Sequence, residues 1–506
     1  MPQFIIREIT IEPKDIVIIS RINNEHLVTQ AKFILSFGQR KITPEQVLKV
    51  ENWVGEDEIG LSHSLIKSLG ASEGDEVVLQ TQSHSASTSY SLIKQRILQP
   101  GKTFNKAEID QIIGDITSGT LTPLESSVFI TSQMFQEWNI SEIEYLTKAI
   151  ACSGQTIDWK DRIIFDKHSL GGVPGNKVSL LIVPIIAAAG LTIPKTSSRA
   201  ITSPSGTADT MEALGCEIEF SIDEIVEITS RTNGLIAWTG GLNIAPADER
   251  IIRDVQFPLG IDPEPMMMAS VLAKKVAMGI HFLVLDIPTG IGTKVENMKS
   301  GKRIAHRFAE LGQNLGIRVE SGITYGSSPV GHAIGPALEA REALNALINP
   351  QLASDSLIGK STSLAGILLE MSGKAIRGRG QDLALEIINS GKAYRKFQEI
   401  LEAQNADPKI QPEDIEVGEC MYEYIAPQSG WIVEINNNVI SRATHAAGAP
   451  MDKGAGIQFL KKKDSVKRGE VIFQLYAPNE QKLRAAESEL VKNVPFIIEG
   501  MLLARE

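Results

Sequence analysis

The densest run of residues able to hold an anion is DKHSLGGVPGNKVS, from Asp166 to Ser179. It follows the apolar run RIIF and precedes the apolar run VSLLIVPIIAAAGL, which reads as strand, glycine-rich loop and helix. Gly171, Gly172 and Gly175 let the backbone come close to a ligand, and the unpaired N–H groups and dipole of a helix start favour an oxyanion. Lys167, Ser169 and Ser179 add one charge and two hydroxyls. The spacing is neither GxxxxGK[ST] nor GxGxxG, so the P-loop and dinucleotide readings fail, while a purely structural glycine turn stays open. A second segment, KTSSRAITSPSGTADTMEAL from Lys195 to Leu214, gathers Ser197, Ser198, Thr202, Ser203, Ser205 and Thr207 around one cation, Arg199, and again opens a helix. A solvated Ser/Thr loop is its bland alternative. Two such loops, each after a strand, are expected to meet at the C-terminal edge of a parallel sheet, where ligands bind.

The elements that must carry these loops follow from periodicity. Residues 1–88 hold short β-rich runs such as DIVIIS and EVVLQ, and the Ser/Thr linker TQSHSASTS leads into helical periodicity in NKAEIDQIIGDITSG and SEIEYLTKAIACSG. Between about 163 and 348, runs such as GLIAWTG, HFLVLDIP and GIRVESGITYG alternate with helical stretches, the pattern of a βαβ sheet. Helices return to about residue 404, and a β-rich unit closes the chain.

Length and charge exclude several classes. At roughly 100–200 residues per domain, 506 residues make three or four domains. The net charge of −11 disfavours nonspecific binding to nucleic acid or to an anionic membrane, so any phosphate must be met locally. Cys152, Cys216 and Cys420 lack metal-ligand or disulfide-framework spacing, and no apolar run approaches the roughly 20 residues that span a bilayer. A cytoplasmic protein is expected.

KHSLGGVPGN and SSRAITSPSGTADTMEALG, with NIAPADERIIRD, MMMASVLAKKVAMG, VLDIPTGIGTKV and GHAIGPALEAREAL, resemble the family of thymidine and AMP phosphorylases in its long, type 2 form. The resemblance covers most of residues 91–506, and the N-terminal domain is similar to that of the long members. It implies an α/β class: a helical domain plus a large α/β domain with a mainly parallel sheet, flanked by small β-rich domains. The boundaries expected are 1–88 for the N-terminal domain, 89–162 for the helical domain with helices from 349–420, 163–348 for the α/β domain and 421–506 for the C-terminal domain. That last unit resembles a hammerhead barrel but lacks the Met-Lys-Met tip of lipoyl and biotinyl carriers.

The resemblance also implies roles. Orthophosphate is expected near Lys167, Ser169, Ser179, Ser197 and Thr207. The nucleotide is expected at Gly172, at Ser198, Arg199, Ala200, Ile201, Thr202 and Ser203, and at Thr207, Ser270 and Lys294. Arg253, Ser270 and Lys274 match residues that hold a pyrimidine edge. Asp262, in GIDP, matches a proton donor to the leaving base, with His168 as the alternative acid and an ordinary turn aspartate as the alternative reading. Lys294, with Arg199, is expected on a 5'-phosphate. No metal or cofactor is implied, orthophosphate being a co-substrate, and a homo-oligomer, at least a dimer, is expected. The implied activity is phosphorolysis of AMP, with CMP and UMP as further substrates. Thymidine or pyrimidine nucleoside phosphorolysis is the alternative, and a non-catalytic nucleotide sensor or scaffold is the rival class.

Overall fold

The computed structural model describes residues 3–9, 16–20, 32–38, 40–44, 46–51, 53–82, 87–200, 203–238, 240 and 242–500. The chain forms two compact units, 1–132 and 133–506. In the first, a seven-stranded mixed sheet runs in the order Arg40–Ile42, Lys32–Phe37, Glu76–Gln82, Gln3–Ile9, Glu58–Ser62, Ile16–Ser20, Gln46–Val50. Its apolar positions, among them Ile6, Val17, Leu35, Leu61 and Leu79, close a core with the short helix His63–Leu69. The helices Thr88–Leu98, Lys106–Ser118 and Pro123–Ser132 follow. Asn105 and Glu108 start the second of these with a reciprocal capping box, which satisfies two otherwise unpaired backbone donors.

The second unit begins with the helix Ile140–Ala151 and is built around parallel strands. Gly234–Trp238 pairs with Ile193–Ser197, and Phe165–Ser169 pairs with Phe282–Thr289, which pairs with Arg318–Tyr325. A parallel bridge between Ile164 and Thr192 joins the two groups, giving the order 234–238, 193–197, 165–169, 282–289, 318–325. The order reverses between 165–169 and 282–289, so this is a doubly wound sheet with one switch point.

The helix Ser179–Ala188 is buried on every side from Ser179 to Ala187, as an apolar helix without a polar face must be. Against it pack the helices Asp355–Met371 and Lys392–Ala403, through Leu368, Phe397 and Ile400. These two helices, drawn from 349–420, thus share the core of the α/β unit. A Cβ on Gly234 would meet Ile400 Cδ1 at 2.9 Å, which is why that strand starts on glycine. The C-terminal portion folds as two small antiparallel sheets with the helices Asn437–Ala446 and Glu480–Lys492.

Candidate active site

Loops 170–178 and 290–295 leave the C-terminal ends of neighbouring strands on the two sides of the switch point. They touch: a Cβ on Gly172, whose φ is +85°, would lie 3.1 Å from the backbone nitrogen of Lys294. Any other residue there would need both a left-handed backbone and a shifted neighbour.

Buried charge pins the first loop. The register places Asp286 beside Ser169. Asp286, fully buried, accepts hydrogen bonds from Ser169 Oγ at 2.8 Å, Thr324 Oγ1 at 2.6 Å and Asn176 Nδ2 at 3.3 Å, and pairs with Lys360 at 3.0 Å. Burial opposes its ionisation, yet Lys360 and Lys167 hold the carboxyl below the usual carboxylate range. On the far side of the loop, Lys177 donates to the carbonyls of Gly175 and Val330, each at 2.9 Å, and pairs with Glu342 at 2.8 Å.

A buried aspartate shapes the second loop. Asp209, in the helix Thr207–Ala213, accepts from the backbone N–H of both Ala200 and Gly206 at 2.8 Å, closing the chain between them. Arg199 makes a two-pronged pair with Glu212 at 2.6 and 2.8 Å, and its guanidinium stands 4.7 Å from the centre of the Trp238 ring.

Between the loops is a cavity of about 290 Å³ lined by Gly172, Ser198, Arg199, Ala200, Ser203, Thr207 and Lys294, and by Lys167, His168, Ser169, Ser179 and Ser197. The two hydroxyl- and glycine-rich segments therefore converge on one space. Ile201 and Thr202 lie outside the described residues. Lys195, Lys274, Lys275 and Glu339 complete the wall. Burial, reinforced by Lys275, Lys195, Lys274 and Lys167, pushes the His168 imidazole well below its usual range, so it is neutral. Burial also brings Lys167 down to about 8, with Asp286 opposing, and Lys195 down to about 7, with Asp166 opposing. The same effect raises Glu339 to about 7, against the pull of Lys177.

A second cavity, of about 450 Å³, shares Ser198, Arg199, Ala200 and Lys274 with the first. Its own walls include Trp238, Ile244, Ile252, Phe257 and Arg253. Ile252 and Arg253 stand on a single turn of π-helix, Ile252–Gln256. Lys274 pairs with the fully buried Asp248 at 2.5 Å, and Arg253 pairs with its neighbour Asp254 at 2.7 Å. Ser270 is half-buried on the helix Glu264–Ala277 and lines neither cavity. Asp262 is exposed and also lines neither cavity; it pairs with Lys294, in the wall of the first, at 2.5 Å and accepts from Gln256 Nε2, at the end of the π-turn, at 3.2 Å. Sequence reasoning missed Asp286, Lys360, Lys177 and Lys195. The first three act through partners more than a hundred residues away or on other elements, which no local spacing reveals; Lys195 was in view but read only as the edge of a hydroxyl segment.

Among the described residues no cluster of three or more His, Cys, Asp or Glu has the arrangement of a metal site, and no helix is long and apolar enough to cross a membrane.

Known families assign this architecture. Residues 161–394 match the family described as "Glycosyl transferase family, a/b domain", and residues 91–154 match its "helical bundle domain". Residues 431–496 match the "Pyrimidine nucleoside phosphorylase C-terminal domain". The protein is a pentosyltransferase of the phosphorylase type. The solved structure of anthranilate phosphoribosyltransferase from Thermus thermophilus superposes with a TM-score of 0.52 at 20% identity, covering 62% of this chain and 99% of that one, and so shares the fold. An AMP phosphorylase of Methanococcus maripaludis is 46% identical over 460 residues, 91% of this chain and 90% of the relative. Another, of Methanosarcina barkeri, is 49% identical over 420 residues, 83% and 82% of the two chains. The chain belongs to the AMP phosphorylase family.

Proposed function

We propose that the protein catalyses phosphorolysis of AMP to adenine and ribose 1,5-bisphosphate, with CMP and UMP as further substrates. The observation that carries this reading is the cation-rich cavity at the switch point opening beside an aromatic-walled one. A reaction between orthophosphate and a nucleotide brings two phosphates and a base together, and these two spaces suit those parts.

Orthophosphate is assigned to Lys167, Ser169, Ser179, Ser197 and Thr207, with its position set by the Asp286 network. The ribose lies along Gly172, Ser198, Arg199, Ala200 and Ser203, and the base enters the second cavity against Trp238 and Phe257, with Lys274 and Arg253 at its edge. A phosphate oxygen attacks C1' from the face opposite the base. The C1'–N bond breaks with its electron pair going to the base, and Asp262 gives the base a proton. Lys294 takes the 5'-phosphate, and in doing so leaves Asp262. The neutral His168 is a poor donor by comparison. Positioning and charge stabilisation by the two loops supply the remaining catalysis, without a metal or a cofactor. The free cysteines suit a reducing compartment, and we place the enzyme in the cytoplasm as a homo-oligomer.

The test is incubation with orthophosphate and AMP, CMP, UMP, thymidine or uridine, following free base and sugar phosphate. Base release from AMP supports the proposal. Release from thymidine or uridine alone transfers it to the pyrimidine nucleoside reading, and no release from any of them removes the activity.

A further inference from the structure

The cations of the first cavity divide into two groups. Lys177, Lys274, Lys275, Lys294 and Arg199 each have a carboxylate partner: Glu342 at 2.8 Å, Asp248 at 2.5 Å, Asp166 at 2.6 Å, Asp262 at 2.5 Å and Glu212 at 2.6 Å. Lys167 and Lys195 have no ion pair among the described residues, although they are only 3% and 5% exposed. Lys195 stands on the strand Ile193–Ser197 in the cavity wall, and of the three protons its ammonium carries, one goes to the carbonyl of Thr196. The Thr196 hydroxyl, also in the wall, is buried with no hydrogen-bond partner among the described residues. Two buried ammonium groups with no carboxylate in contact are unfavourable unless an anion completes the site.

We infer that Lys195 is a second cation of the orthophosphate subsite, contacting the attacking phosphate beside Lys167. The inference rests on the phosphorolysis reading and adds a residue to the phosphate set that the family resemblance supplies. It also accounts for a site that holds two phosphates at once: Lys294 is committed to the 5'-phosphate, and the unpaired lysines remain for the free one. Bound phosphate restores the charge on Lys195, which burial otherwise brings down to about 7, with Lys275, Lys167 and Lys274 adding to the effect and Asp166 opposing it.

The test compares wild type with Lys195→Met, which keeps the length without the charge, and Lys195→Arg, which keeps the charge. Orthophosphate alone, without nucleotide, should raise the melting temperature of wild type and of Lys195→Arg, and of Lys195→Met far less. Without phosphate, Lys195→Met should melt no lower than wild type, because it removes an uncompensated buried charge. Its KM for phosphate should rise about 10- to 100-fold, the worth of one charged hydrogen bond, while KM for AMP changes less than about 2-fold. The ratio of the two proteins' phosphate KM values should be largest near pH 6 and shrink by pH 9. An unchanged phosphate KM and thermal shift in a folded Lys195→Met protein would overturn the inference, as would a rise in KM for AMP in place of phosphate. Failure of the wild type to release base from AMP would instead defeat the phosphorolysis reading, and the thermal shift with phosphate would still decide the role of Lys195.

Discussion

Replacing Asp286 by Asn tests how the first loop is held. Asp286 is fully buried and balances Lys360, whose side chain is 7% exposed, at 3.0 Å. Removing the negative charge leaves Lys360 buried and unpaired, a loss of about 3–5 kcal/mol in comparable cases. It also turns an acceptor of three hydrogen bonds into a mixed donor and acceptor facing Ser169, Asn176 and Thr324. At roughly 1.5–3 kcal/mol for each bond to the charged acceptor that is lost, the combined loss falls within the 5–15 kcal/mol margin of a whole domain. Urea unfolding gives the change in stability, and initial rates give KM for phosphate and for AMP. The double variant Asp286→Asn/Lys360→Met removes both charges and should recover most of the stability. It should not recover the phosphate KM, because the amide offers one acceptor oxygen where Ser169, Asn176 and Thr324 use two. Equal stability of the single and double variants would show that the ion pair is not what holds the loop. A normal phosphate KM in the double variant would show that Asp286 does not position Ser169.

Lys294→Ala should raise KM for AMP about 10- to 100-fold and KM for adenosine much less; equal losses on both would place Lys294 on orthophosphate or in the fold. Asp262→Asn should lower turnover roughly 10²- to 10⁴-fold with little change in AMP binding, whereas a normal rate there and a dead His168→Ala would move the acid to the histidine. Glu339, raised to about 7 by burial, keeps its proton in the folded chain after the unfolded chain has lost its own. Its contribution to stability is therefore complete below about 4.5, the ordinary value, and is lost as pH rises through about 7. Glu339→Gln, which can still accept from Gly335 N–H, should melt higher than wild type at pH 8 and show no such gain at pH 4.5.

Much of this arrangement is legible along the chain because it is local. The glycines at 171, 172 and 175 all take positive φ, at +82°, +85° and +73°, as a tight strand-to-helix loop demands. The alternation of apolar runs marks the parallel strands, and both hydroxyl- and glycine-rich segments reach the same cavity because each follows one of them. What stays hidden is long-range. Lys360 sits in a helix whose periodicity says only that one face is buried, and nothing near it in the chain identifies Asp286 as its partner. Lys177 reads as one more loop cation, whereas its ammonium is consumed in holding Gly175, Val330 and Glu342. Arg199 and Lys294 look like free phosphate ligands in the sequence, and in the structure each is paired with a carboxylate, Glu212 and Asp262 respectively. The grouping of the helices after residue 349 follows from the fit of Phe397 and Ile400 against the helix Ser179–Ala188, a matter of packing that helical periodicity alone does not decide.

The most direct test of the central claim is the fate of phosphate oxygen. With AMP and ¹⁸O-labelled orthophosphate, the expected result is one adenine released per orthophosphate consumed, no adenine without orthophosphate, and label in the C1–O–P bridge of ribose 1,5-bisphosphate. Adenine released without orthophosphate, with unlabelled ribose 5-phosphate as the sugar product, would mean that water is the nucleophile and would contradict it.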